Sequence, residues 1–350
     1  MKAGVMNRRA FLGGCAVCAM LASSARALAA AALQDGAGDA LFAEAVPPGH
    51  RPDPSSTEAG LWMAVDQMED SIRNSHLVIA DAELAAYLQD LSCRLAHGYC
   101  SDIRVYPMRI PHFNASMAPN GMMQVWSGLM LRTSSEAQLS TVLGHEIGHY
   151  LRCHSVRNWE QARDLSNFMS FLSLGLAVAG ASPGTQDLAR LAGYGLIFSY
   201  GRDLEREADA MGLHMMHRAG INPWHGITVW ERVVAEQAAA RYRAAQDPFF
   251  ATHPASVERI GNLSRLAQSL GHRREAALAE GPDAGPGAAD FRRIVGRHRA
   301  RWIEDQLNLR HFNQAELILG WLAEDGVTPG EIHFYRGELY RRRGEEGDAA

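Results

Sequence analysis

Along this chain the apolar positions change period at identifiable points, and each change marks an element. From residue 58 to 73, and again from 81 to 96, apolar side chains recur three and four apart, the spacing of one helix face. The period then falls to two. Ile103 to Ile110 reads as a strand, and Met122 to Ser127 as a second one closed by Gly128. Phe113 to Gly121 lies between them and is rich in turn formers, so it is expected to be a connection. Helical spacing resumes with Leu139, Val142, Leu143, Ile147, Tyr150 and Leu151, predicting an amphipathic helix buried on one side. Thr133-Ser134-Ser135-Glu136 just ahead of it reads as a capping box, a hydroxyl followed three positions on by a glutamate. Trp159 to Leu165 follows, then the apolar run Phe168 to Ala181, which is shorter than a bilayer span and reads as a buried helix or a flap near the site. Membrane contact by that run is at most peripheral. A charged helix then carries Arg202 to Asp209 and stops at Gly220.

These elements make the chain mainly α with a small β-sheet, an α+β domain. Its flanks differ in composition. Residues 1–29 contain Arg8-Arg9-Ala10-Phe11-Leu12, a short apolar stretch and Ala27-Leu28-Ala29, which together resemble a cleavable twin-arginine export signal. An uncleaved anchor, or a lipoprotein through Cys15, are the alternatives. The expected location is the periplasm of a bacterium. Residues 30–57 are Ala-, Gly- and Pro-rich and read as a mobile linker, residues 58–270 as the central domain, and residues 271–290 as a second linker. Residues 291–350 are helical, and Ala315 and Ala349 stand one tetratricopeptide period apart, so this segment reads as a tetratricopeptide-like helical repeat, either truncated or ending in an incomplete unit, whose concave surface would bind a substrate or a protein partner.

Charge narrows the function. The formal net charge is -5, and residues 1–29 hold four basic side chains and no acidic one, so the remainder is more acidic still. No basic footprint for nucleic acid exists. Of the five cysteines, Cys15 and Cys18 fall in the export segment. Cys93 and Cys100 can pair in an exported compartment or remain separate thiols, and spacing does not decide between these. Cys153 reads as a packed thiol.

The chemistry lies in the helix after the strands. His145, Glu146 and His149 form the pattern H-E-x-x-H. Residues four apart share a helix face, so both imidazoles can meet one zinc ion, with Glu146 beside them to take the proton of an attacking water. Two core histidines would be the plain alternative. Glu205 and Asp209 are also four apart. A catalytic zinc takes three protein ligands, which makes Glu205 the third; Asp209 can then accept a hydrogen bond from the far nitrogen of a ligand histidine. Glu207 points elsewhere and reads as solvated or salt-bridged. His154, His214, His217 and His225 have no partner at ligand spacing and read as structural or exposed. The strand before the zinc helix is expected to lie along the cleft, where a peptide can pair with it.

His145-Glu146-Ile147-Gly148-His149 followed by Glu205-Arg206-Glu207-Ala208-Asp209 resembles the gluzincin family of HtpX, Oma-type and BepA-like proteases and the CAAX prenyl proteases. Asn114-Ala115, Gly121, Ser127-Gly128-Leu129, Thr252-His253-Pro254 and Arg259-Ile260 extend the similarity over residues 58–270. The resemblance implies a zincin-like metalloprotease domain with one Zn2+ at His145, His149 and Glu205, and Glu146 as base. It also implies a place for His253 over the metal, occupying the open position in a resting form. Read from the residues alone, His253 could equally be a transition-state donor or a turn residue before Pro254. Gly201 departs from the family's usual Ser next to Arg, and the long membrane helices of the HtpX and prenyl-protease branches are missing. The similarity is closest to BepA-like members with C-terminal repeats. The expected function is a zinc-dependent endopeptidase acting on misfolded or envelope proteins. The alternative is a periplasmic chaperone or scaffold using the repeats, with a latent zinc site.

Overall fold

The computed structural model describes residues 38–161, 200–240, 249, 253, 257–281, 285 and 287–344. The export segment, the apolar run Phe168 to Ala181 and residues 345–350 of the proposed repeat, including Ala349, lie outside the described residues. Residues 38–43 are helical and belong to a unit of their own; everything below concerns the second unit, from Ala45 onward.

Helix α1 (Thr57–Arg73) starts where Ser56 accepts the Ala59 amide, and α2 (Ala82–Leu95) where Asp81 accepts the amides of Glu83 and Leu84. Both caps satisfy donors that a helix end leaves open. Leu61, Val65, Met68 and Ile72 of α1 form a core with Met108, Met122 and Trp126 of the sheet. That sheet has strands β1 (Arg104–Met108), β2 (Ala115–Met117) and β3 (Met122–Trp126) in the order β1-β3-β2. β1 runs parallel to β3, with Arg104 opposite Met122; β2 runs antiparallel, with Ser116 opposite Gln124. The stretch expected to be only a connection thus contains a strand. β3, expected to lie open along the cleft, is instead the central strand, and β2 takes the edge. Gly121 turns the chain between them at φ +88°, where a Cβ would lie 1.9 Å from the Asp102 carbonyl oxygen.

Helix α3 (Ser127–Arg132) leads into α4 (Glu136–Leu151), which carries H-E-x-x-H. Every residue of α4 is buried, not one face only, because α2, α6 (Arg202–Arg218), α7 (Pro223–Ala239) and β2 all pack on it. The cap also differs from expectation. Ser135 accepts the Gln138 amide while Gln138 Oε1 accepts the Ser134 amide, so glutamine and not Glu136 closes the box. Glu136 is buried instead, accepting from Tyr87 Oη at 2.9 Å and pairing with Arg94 at 2.8 Å.

The remaining helices are α5 (His154–Gln161), α8 (Val257–Ser269), α9 (Arg274–Glu280), α10 (Ala288–Gly296), α11 (Arg299–Asn308), α12 (Phe312–Glu324) and α13 (Pro329–Arg343). None of the described helices is long and apolar enough to cross a membrane. Inside the first expected linker, residues 45–56 run against the domain: the Val46 amide donates to Leu151 O, and the Gly49 amide to Asp102 Oδ2. The second expected linker contains α9. Cys93 and Cys100 form a disulfide between the end of α2 and the approach to β1. Helices α11 and α12 dock on the rest of the unit through Arg132, whose guanidinium makes two 2.6 Å bonds to Glu236 of α7 and a 3.1 Å bond to Gln306 of α11.

Candidate metal centre

The site begins with the close approach of α4 and α6. A Cβ on Gly148 would lie 2.8 Å from Ala208 O, and one on Gly212 would lie 2.9 Å from the His145 amide nitrogen. Only small residues there let the two backbones come this close, and the approach brings Glu205 and Asp209 of α6 against His145 and His149 of α4.

His145 Nε2 and His149 Nε2 are 3.0 Å apart. Glu205 Oε2 is 3.5 Å from His145 Nε2, and Oε1 is 3.3 Å from His149 Nε2. His253 Nδ1 sits 3.2 Å from His145 Nε2 and 2.8 Å from Glu205 Oε1. These four side chains form the one group of possible metal ligands found among the described residues, and all are buried. A tetrahedral ion with ligands at about 2.0–2.1 Å separates them by about 3.3 Å, close to the spacings seen here. Two carboxylate oxygens here, Glu205 Oε2 and Glu146 Oε1, are buried without a hydrogen-bond partner. A burial of this kind is costly unless a cation compensates it. The donor set therefore fits a divalent metal.

Around the centre, burial and charge compete. Burial raises the Glu146 carboxyl, with His253 and His145 opposing it. Burial alone would also raise Glu205, but His253 and His145 outweigh it and hold Glu205 far below the usual carboxylate range. Burial, then repulsion from His145, pushes His149 well below its ordinary value. Asp209 is lowered, since Arg259 overcomes its burial. Asp209 Oδ1 accepts from His145 Nδ1 at 2.9 Å, which leaves His145 Nε2 free of its proton and aimed inward.

The structure brings His145, Glu146, His149, Glu205, Asp209 and His253 into one cluster. Helical spacing on its own did not reveal several neighbours. Arg259 of α8 holds Asp209 at 2.7 Å and lies 3.8 Å from the Trp230 ring centroid. Tyr200 stacks on His149 at 3.8 Å and shares a 2.6 Å hydrogen bond with Ser155. His154, read as partnerless, is wholly buried with its Nδ1 2.7 Å from His149 Nδ1; burial, partly opposed by Glu207, lowers its pKa to about 4. Glu207 is salt-bridged, to Arg152 and to His154. Of the other histidines, His214 is buried, His217 pairs with His272, and His225 with Glu280.

The model of peptidase family M48 matches residues 80–267, more than half of the chain. The chain belongs to peptidase family M48. Within M48, the mitochondrial metalloendopeptidase OMA1 of Schizosaccharomyces pombe is 29% identical over 51% of this chain and 51% of its own. The putative beta-barrel assembly-enhancing protease of Vibrio cholerae is 31% identical over 61% of this chain and 46% of its own. Its Escherichia coli K12 counterpart is 27% identical over the same shares. This M48 chain spans about half the length of the curated relatives it matches. All four residues of the buried His-His-Glu-His group, which could hold a metal ion, lie within the matched span.

Proposed function

We propose that the chain is a zinc-dependent endopeptidase of the bacterial envelope that cuts misfolded or envelope proteins. One observation carries this reading: in an M48 chain, His145 Nε2, His149 Nε2 and the Glu205 carboxylate converge beside the buried Glu146. His145, His149 and Glu205 would hold one zinc ion, a set of two imidazoles and a carboxylate used by catalytic zinc. When bound, the ion would polarise the scissile carbonyl and make a water acidic enough to ionise near neutral pH. Glu146 takes that proton and passes it to the leaving amine; its raised pKa suits a group that must both accept and release. Asp209 keeps His145 in the ligating tautomer. An extended substrate can add to the edge of β2, where alternate backbone groups, those of Ala115 and Met117, turn away from β3.

The Cys93–Cys100 disulfide supports an exported location, since such bonds persist in oxidising compartments. Helices α11–α13 would form the partner-binding repeat, and the names of the bacterial relatives support an envelope role. The test compares mature protein with Glu146→Gln and Glu205→Gln, measuring bound zinc and cleavage of an unfolded protein. Near-stoichiometric zinc, with cleavage lost in Glu146→Gln while metal stays, is the expected result. No zinc after reconstitution would reject it.

A second reading, a scaffold with a latent site, draws on His253 Nδ1 standing at a fourth corner of the cluster. His253→Ala separates the two: a rise in proteolysis marks a gated enzyme, and inactive protein with bound zinc marks the scaffold.

A further inference from the structure

Beyond the ligand shell, the two metal-facing histidines of α4 are supported differently. His145 rests directly on a carboxylate, Asp209. His149 rests on another imidazole: its Nδ1 is 2.7 Å from His154 Nδ1, and His154 Nε2 is 2.9 Å from Glu207 Oε2. We propose that His154 and Glu207 are positioning residues for the metal centre, fixing the tautomer and aim of His149 through a relay that ends on Arg152. This rests on the metal-site reading above.

The direction of the relay follows from donor chemistry. The Glu207 carboxylate can only accept, so the neutral His154 ring donates from Nε2 and offers its Nδ1 lone pair. His149 must then donate from Nδ1, which leaves its Nε2 lone pair toward Glu205 and His145, where the ion would sit. Glu207 is itself held by Arg152, with Arg157 at 3.8 Å. A fully buried imidazole cannot exchange these bonds for water.

Backbone geometry makes the same point independently. Sequence spacing of five does not place His154 over His149 on a continuous helix. The chain achieves it by ending α4 at Leu151 and turning at Cys153, whose φ of +52° is one that residues other than glycine rarely adopt. A costly turn is kept where it returns His154 onto a ligand. The interposed ring also has an electrostatic use. Glu146, Glu205 and Asp209 already bring three carboxyl groups to the centre. The relay orients the second histidine while keeping a fourth one imidazole away.

The test measures zinc affinity of full-length apoprotein by competition with a chromophoric chelator, alongside the melting temperature without metal. His154→Phe keeps the ring volume and removes the acceptor. It is expected to weaken zinc binding about 10–100-fold with little change in metal-free melting. His154→Gln, whose amide oxygen can accept from His149, should recover most of that loss. Glu207→Leu, which removes the acceptor for His154 Nε2, should weaken binding in the wild-type background and add nothing on top of His154→Phe. Wild-type affinity in His154→Phe, or additive losses, would overturn the relay. Should His154→Phe not fold, Glu207→Leu decides, since it leaves His154 Nε2 no acceptor and unchanged affinity there also overturns the relay. A wild type that binds no zinc would reject the metal centre itself and this relay with it.

Discussion

Glu146 and Asp209 are both buried carboxyls at the metal centre, yet their surroundings assign them separate tasks. Glu146 Oε1 has no hydrogen bond, whereas Asp209 is held by Arg259 and His145. Glu146→Gln should keep zinc and lose about 10²–10⁴-fold in proteolysis, read from turnover at matched metal content. Asp209→Ala should lose metal instead, about 10–100-fold in affinity by chelator competition. Away from the site, Glu69 offers a pH test. Burial would raise its carboxyl, but Arg104 at 2.6 Å, Tyr106 and Asn120 outweigh that and lower it below 4.5. A depressed folded-state value means the stabilisation is complete above pH 4.5 and is lost as pH falls through the folded value. Glu69→Gln should therefore melt below wild type at pH 7, with the gap closing in acid; a gap independent of pH would refute this. The grouping of His145 with His149, and of Glu205 with Asp209, was legible because a helix fixes the i, i+4 face. His154 was not, because its position depends on a left-handed turn at Cys153 that no periodicity encodes.

Helices α4 and α6 meet through glycine, and the element scale is where that contact matters most. Gly148→Ala and Gly212→Ala each place a methyl under 3.0 Å from opposing backbone. Each should cost about 1–3 kcal/mol of stability and shift Glu205 away from the histidines, seen as lower melting temperature together with weaker zinc binding. Loss of melting temperature with unchanged zinc affinity would show that the ligands tolerate the shift. The lengths of α1 and α2 were readable from the apolar period, and each was capped where a Ser or Asp stood. Two features were not readable, the strand β2 and the all-round burial of α4. β2 has three residues, too few for an alternation to register, and it hides among Asn114, Pro119 and Gly121. α4 shows an apolar stripe, but its polar residues are buried as well, because Glu136, Gln138 and the metal-facing side chains find partners on neighbouring elements.

For the whole molecule, the decisive contact is the buried pair Arg132–Glu236, each side chain 2% exposed, with Gln306 and Gln314 around it. It joins α3 and α7 to α11 and α12. Glu236→Ala should cost about 3–5 kcal/mol, since it removes one side of a buried ion pair held by two 2.6 Å bonds. Removing residues 288–350 should lower solubility and melting temperature, because Met130 and Leu131 lose the cover of Phe291 and Trp302. A soluble, zinc-loaded core would contradict this. The helices after residue 290 were visible in the apolar spacing, but the polar contacts that fasten them were not, because ion pairs some ninety to two hundred residues apart leave no periodic trace. Arg109–Asp305 and Arg232–Asp325 fasten the same junction on either side. Under the function proposed above, the helical segment would be a clamp bolted to the blade: a client gripped there would be offered to the cutting edge from a constant offset. Only chains with enough slack to bridge that offset would be cut, and folded or very short ones would be spared by reach alone.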